Sequence, residues 1–226
     1  MKKYLLLFFV TLPIFVFATE QMPDYLIIGK DTISLISNPL KKYFESNPLR
    51  DKETQIVSTN LWRGYVAYFK FEDNKLVVEN IYEEQEIINS DKTHFVSIYK
   101  EIFGEKINFE CNFYSGILVG YSGEITERMK PGFWDIYEKY KLFEITNGRI
   151  NNNLEFNDKE FIKYKTKYFK QFKKTEAYKL QFDKNYASFM TFEDSHFSKK
   201  KNLTTKEIEK LVKKSVEDYI FYFLFH

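Results

Sequence analysis

The sequence predicts an α+β fold: mainly antiparallel sheet built from hairpins, one amphipathic helix on that sheet, and a helical, lysine-rich C-terminal tail. Three observations lead there. Tight-turn signals at Gly29-Lys30-Asp31, Glu72-Asp73-Asn74 and Asn147-Gly148 each separate apolar or β-branched runs. Phe95, Ile98, Tyr99, Ile102 and Phe103 recur at i, i+3, i+4, i+7 and i+8, the spacing of one helix face. Beyond Phe156 the chain turns basic, with nine lysines against three acids from Lys159 to Lys184.

The chain begins as an export signal would. Lys2 and Lys3 precede an uncharged stretch of fourteen residues, Tyr4 to Phe17, and Val16-Phe17-Ala18 supplies small or branched residues at the cleavage positions. A membrane-spanning helix needs about 20 apolar residues, and this stretch is shorter. Residues 1–18 therefore read as a signal peptide, 19–156 as the antiparallel α+β body and 157–226 as a helical extension packed on the same domain. The expected destination is the periplasm or the extracellular space, with no membrane span after cleavage. The one cysteine, Cys111, lies far from the cleavage site, so the exported chain is not a lipoprotein.

Within the body, Tyr25–Ile28 and Thr32–Ile36 flank the first hairpin turn. Asn38 is placed to cap a short helical turn, with Pro39 at its first position, and Asn47-Pro48 ends it. Leu61–Phe71 and Leu76–Tyr82 form the second hairpin, and Glu83–Asp91 is acidic and irregular. The Phe95–Phe103 helix stops at Gly104. Ile107, Phe109, Cys111 and Phe113 then alternate with Asn108, Glu110, Asn112 and Tyr114 as a strand would. Gly116, Gly120 and Gly123 mark bends or bulges. Ile136–Ile145 and Arg149–Phe156 flank Asn147-Gly148, the strongest short hairpin signal in the chain. In the tail, Asn157 with Glu160 and Thr204 with Glu207 have helix-capping spacing.

Charge and composition narrow the function. The full chain has 34 basic and 32 acidic residues, and loss of Lys2 and Lys3 leaves 32 of each. That balance argues against a nucleic-acid binder, which carries a basic excess. A single cysteine allows no internal disulfide. Lys, Asn, Ile, Phe and Tyr are abundant together, as AT-rich codon usage produces, so aromatic content alone is no binding signature.

Motifs for familiar chemistry fail on inspection. Gly120-Tyr121-Ser122-Gly123-Glu124 has Glu124 where a nucleophile elbow requires glycine. His94, His196 and His226 have no ligand spacing with one another or with Cys111. Cys111 sits in the apolar phase of its alternation and reads as a buried hydrophobe. Neither Glu124 nor Asp135 stands out among the many carboxylates. No cofactor or metal is expected. A small outer-membrane barrel would suit the export signal, but the chain has few glycines, helical tails and poor alternation over most strands.

The most individual patch is Trp62-Arg63-Gly64-Tyr65, read as part of one strand. Glycine permits close approach to the backbone, and the rings and guanidinium could hold a flat or anionic group, which makes Trp62, Arg63 and Tyr65 the candidate binding residues. The competing reading packs Trp62 in the core and pairs Arg63 with a carboxylate across the sheet.

A wider pattern accompanies it: Asp24-Tyr25-Leu26 with Gly29 and Asp31-Thr32, Asn38-Pro39-Leu40, Trp62-Arg63-Gly64-Tyr65, Asp73-Asn74-Lys75-Leu76, Phe103-Gly104-Glu105-Lys106, Ser115-Gly116, Ile136-Tyr137-Glu138 and Asn147-Gly148. In that order, from Asp24 to Phe156, the chain resembles a group of uncharacterised exported bacterial proteins. The resemblance implies export and a shared fold, and no activity, ligand or site. The lysine-rich tail is longer than it implies.

Together these features give an exported, non-catalytic binding or interaction protein of the cell envelope, its partner an envelope protein or small ligand. The alternative is an enzyme acting on envelope glycan or lipid through carboxylates assembled by the fold. Processing is directly testable. N-terminal sequencing of exported material should begin at Thr19, and intact Met1 in the exported fraction would contradict the assignment.

Overall fold

The computed structural model describes residues 21–49, 58–87, 92–129, 135–196 and 204–218. The signal-peptide assignment lies outside them. Nine strands join in one sheet: β1 (Asp24–Ile28), β2 (Asp31–Leu35), β3 (Val66–Glu72), β4 (Lys75–Glu86), β5 (Thr93–Ser97), β6 (Phe109–Glu110), β7 (Gly116–Glu127), β8 (Ile136–Thr146) and β9 (Arg149–Asn157). The helices are α1 (Lys41–Ser46), α2 (Tyr99–Phe103), α3 (Asp158–Phe172), α4 (Glu176–His196) and α5 (Thr205–Asp218). The α+β class holds.

The sheet is mixed, which corrects the antiparallel expectation in one place. β1 pairs with β3 in parallel, Tyr25 opposite Tyr68 and Ile27 opposite Lys70, while every other pairing among the described residues is antiparallel. Because β3 also pairs with β4, the order β3-β1-β2-β7-β8-β9-β4 returns to its start. The strands form a closed ring, with β5 and β6 added along β4.

Local chemistry sets the three hairpins. Gly29 has φ 63°; Asp73 and Asn74 have φ 49° and 61°; Asn147 and Gly148 have φ 49° and 75°. In the last two, consecutive left-handed residues give the two-residue turn whose twist suits antiparallel strands, and in the first Gly29 alone takes the left-handed step. The last two turns also close the ring. Leu76 N–H donates to Gly148 O at 2.7 Å, Ile150 N–H to Asn74 O at 2.9 Å, and Gly148 N–H to Tyr114 O at 2.8 Å.

The ring encloses the first core. Leu26, Ile33, Phe69, Leu76, Leu118 and Phe143 point inward with Cys111 and Tyr114, and α1 and α2 bring Tyr43, Phe44 and Phe103 against them. Strands β7 and β8 are buried on both faces. Leu118 and Phe143 face the interior, whereas Ile117, Val119, Tyr121, Tyr140 and Leu142 face outward under the tail. There Phe161, Phe169 and Phe172 of α3 and Val216 of α5 cover them, with the Tyr140 and Phe161 rings stacked at 3.8 Å. Burial pushes the Tyr140 hydroxyl up to about 12. Asn157 and Glu160 form the reciprocal cap of α3, and Thr204 and Glu207 make the same exchange before α5. α4 lies within the tail expected to be helical, but the sequence marks no separate start or stop for it. Its weak amphipathic pattern gives the reason.

Four other segments differ from expectation. Thr93–Ser97 is a strand on the far half of β4, so Phe95 is not helical and α2 starts only at Tyr99. The β-branched and aromatic residues there gain cross-strand partners, which outweighs a helical spacing too short to sustain itself. β4 in turn runs on through Glu83–Glu86 rather than becoming irregular. The Ile107–Tyr114 alternation yields only the two-residue β6. Asn108 turns the chain at φ 55°, Ile107 is 87% exposed, and Tyr114 is buried instead of facing outward. Finally, Asn38 caps nothing: the N-cap of α1 is Leu40 without a side-chain bond, and Asn38 serves Tyr65.

Gly148 has the least freedom of the turn residues. A Cβ there would lie 2.8 Å from the Cys111 carbonyl oxygen, on a backbone already at positive φ. Gly148→Ala should cost at least about 2 kcal/mol, from left-handed strain plus the displaced backbone. Urea unfolding measures it, and a neutral substitution would show that the ring does not depend on this junction.

Candidate functional site

The Trp62-Arg63-Gly64-Tyr65 segment is a turn, not part of a strand; β3 begins at Val66. Gly64, at φ 79°, supplies the left-handed step and donates its N–H to Leu61 O at 2.9 Å. The turn is held against the chain entering β1. Met22 N–H donates to Asn60 O at 2.8 Å. The Gln21 side chain donates to Thr59 O and accepts the Trp62 N–H, both at 3.0 Å.

Beneath the turn lies Asp24, 1% exposed at the first position of β1. Its Oδ1 accepts the Ala67 N–H of β3 and a guanidinium N–H of Arg63, each at 2.8 Å. Oδ2 is buried with no hydrogen-bond partner among the described residues. Arg63 also donates through Nε to Tyr65 O at 2.8 Å and lies 5.3 Å from the centre of the Tyr65 ring. Tyr65 is itself buried, its hydroxyl donating to Asn38 Oδ1 at 2.8 Å and its ring 4.8 Å from Phe44.

Of the packing reading of this patch, one half is seen and the other is not. Arg63 pairs with a carboxylate and Tyr65 belongs to the core. Trp62 does not: it is 71% exposed. Burial is the dominant influence on Asp24 and raises its pKa above the ordinary 3.8, against the opposing pull of Arg63 and the Ala67 N–H.

One feature of this region was missed from sequence. Tyr25, Tyr68 and Tyr82 form a row on the outer face of β1, β3 and β4, at the end of the strands that carries the Trp62 turn. Tyr25 and Tyr68 stack at 4.9 Å, and Tyr82 meets Tyr68 edge-on at 5.6 Å. Asn80 Nδ2 donates to the Tyr82 hydroxyl at 2.9 Å, while Asn80 Oδ1 accepts from Ser97 Oγ at 2.6 Å. All three rings are half-buried. Their alternation was legible, but their juxtaposition depends on the parallel β1–β3 pair, which no local signal announces.

The remaining candidates lie apart. Cys111 is fully buried, and desolvation drives its thiol pKa up, so it is held as the unreactive thiol. Ser122, Gly123 and Glu124 are inside β7, where Gly123 at φ 83° coincides with a register shift. Glu124 is exposed, and Asp135 accepts the Met129 N–H at 2.7 Å. His94 is exposed on β5 and His226 lies outside the described residues. Among the described residues, no three His, Cys, Asp or Glu side chains are placed to hold a metal ion, and no helix is long and apolar enough to cross a membrane.

Comparisons with known protein families, with curated proteins and with solved structures found no match.

The raised pKa of Asp24 has a definite sign. An acid that titrates higher in the folded state than in the unfolded chain stabilises the fold less as it ionises. Its contribution is therefore most favourable below about pH 3.8 and declines as pH rises through the folded pKa. Asp24→Asn cannot titrate, so it should gain stability relative to the unmodified chain over that rise. Urea unfolding of both proteins from acid to neutral pH checks this; a parallel pH dependence would contradict the burial argument.

Proposed function

We propose that this chain is an exported, non-catalytic binding protein of the cell envelope that meets its partner through Trp62. One observation carries the reading: a large aromatic side chain stands 71% exposed on a turn whose backbone is tied to the chain on both sides. Exposing a tryptophan to water forgoes the burial that a core position would supply. Holding it on a fixed turn lowers the ordering cost that association must meet. Tryptophan, tyrosine and arginine are also the residues on which binding energy concentrates.

In this reading the three predicted residues divide the work. Trp62 makes the contact, Arg63 fixes the turn to Asp24, and Tyr65 anchors it in the core. The Tyr25–Tyr68–Tyr82 row extends the same surface and offers further aromatic area with hydroxyls at its edge. The envelope setting rests on the signal peptide read over Met1–Ala18 and on the resemblance to exported bacterial proteins.

The test uses the exported chain, immobilised and exposed to envelope extract. Trp62→Ala should leave the melting temperature nearly unchanged, because little of the ring is buried. It should weaken retention of the captured species by about thirtyfold or more, the loss expected at a central binding residue. Equal retention by both proteins would remove Trp62 from the interface.

A further inference from the structure

Helix α3 carries two opposed faces. Phe161, Phe169 and Phe172 are buried against the outer side of β7 and β8, and Tyr168 packs with them. Lys159, Lys163, Lys167, Lys170 and Lys174 follow one another at intervals of four, four, three and four residues, the last of them just past the helix end. At about 100° per residue, those intervals confine all five to an arc of about 80°, centred roughly opposite Phe161 and Phe172. All five are exposed, and none makes an ion pair with a described residue. The acids of α3, Asp158 and Glu160, are confined to its first turn, where each accepts a backbone N–H. From Phe161 to Thr175 there is no acid at all.

We propose that this lysine face docks the protein on an anionic lipid surface. The chain after signal removal is balanced in charge, so the attraction is local to this face. Five ammonium groups along a line of about 22 Å, the length of fifteen helical residues, match a plane of anionic headgroups better than a pocket for one anion. From Lys159 to Lys184 there is no arginine, hence no planar fork for bidentate recognition of a particular phosphate or carboxylate. Lysines act there as hydrated point charges, the form in which basic clusters bind anionic bilayers. An exposed apolar side chain beside the stripe, Ile162, favours a lipid surface over a soluble polyanion. A headgroup layer takes up such side chains, and a hydrated linear polyanion does not.

The experiment is co-sedimentation of the exported chain with vesicles of phosphatidylcholine alone and of phosphatidylcholine mixed with phosphatidylglycerol. Binding to the mixed vesicles only, abolished at about 0.5 M salt where screening acts within a few ångströms, is expected. Combined Lys163→Glu, Lys167→Glu and Lys170→Glu should lower partitioning by about a hundredfold or more, since each lysine near such a surface is worth about fivefold. A matched variant elsewhere, Lys30→Glu with Lys42→Glu and Lys106→Glu, makes the same change in net charge and should bind nearly as the parent does. Unaltered binding by the α3 variant, equal loss in the matched variant, or no preference for anionic vesicles would each overturn the proposal. So would binding to soluble polyphosphate, or salt-sensitive self-association, without binding to vesicles. Thermal melts of both variants confirm that the exposed substitutions leave the fold intact.

Discussion

A buried carboxylate holds the one parallel join among the described strands. Asp24 stands at the start of β1 and accepts the Ala67 N–H of β3, two strands that run parallel and are far apart in the chain. Parallel neighbours have no short turn to set their register. The carboxylate supplies that register by reaching across to one backbone group. Arg63 then closes over it, and because Arg63 belongs to the Trp62 turn, the same contact orients the exposed tryptophan. This arrangement is not cheap in stability. A carboxylate removed from water loses hydration that a single guanidinium and one amide N–H replace only in part, which is why its pKa is raised. Its value lies in specifying which strands meet.

The rest of the fold follows from closure. Once β3 lies between β1 and β4, the sheet returns on itself, and the hairpin tips at Asn74 and Gly148 interlock on its other seam. A ring leaves few free edges, the usual hazard of an open sheet. It also leaves β7 and β8 with an apolar outer face, which the sequence answers with the aromatic stripe of α3. Covering that face fixes the azimuth of α3, and the azimuth turns its lysines to solvent. The basic surface is thus a consequence of packing order: hydrophobic burial decides what charge is displayed.

Legibility in the sequence tracked the range of the interaction. Asn147-Gly148, Asp73-Asn74 and the Asn157–Glu160 and Thr204–Glu207 caps depend on residues at most three apart, and each formed as the sequence indicated. Periodicity did worse where segments were short. Phe95 fits a helix and a strand equally well over so few residues, and pairing with Glu84 of β4 decided it. Ile107 looked like the first inward residue of a strand until the left-handed Asn108 turned it out. The candidate site was half visible. Its composition marked Trp62 to Tyr65, but the sequence held no sign that Asp24 waits 39 residues upstream of Arg63. Nor could it show that Asn38, a plausible helix cap, would be drawn to the Tyr65 hydroxyl instead.

The central claim is that the Asp24–Arg63 contact is a buried constraint on the fold and not a surface ion pair. Arg63→Ala measured by urea unfolding at neutral pH tests it most directly. The side chain of Arg63 is 22% exposed and that of Asp24 is fully buried, so removing the guanidinium leaves a carboxylate stranded in the interior. The account predicts a loss of about 3–5 kcal/mol. A loss below about 1 kcal/mol, as an exposed pair would give, would contradict it.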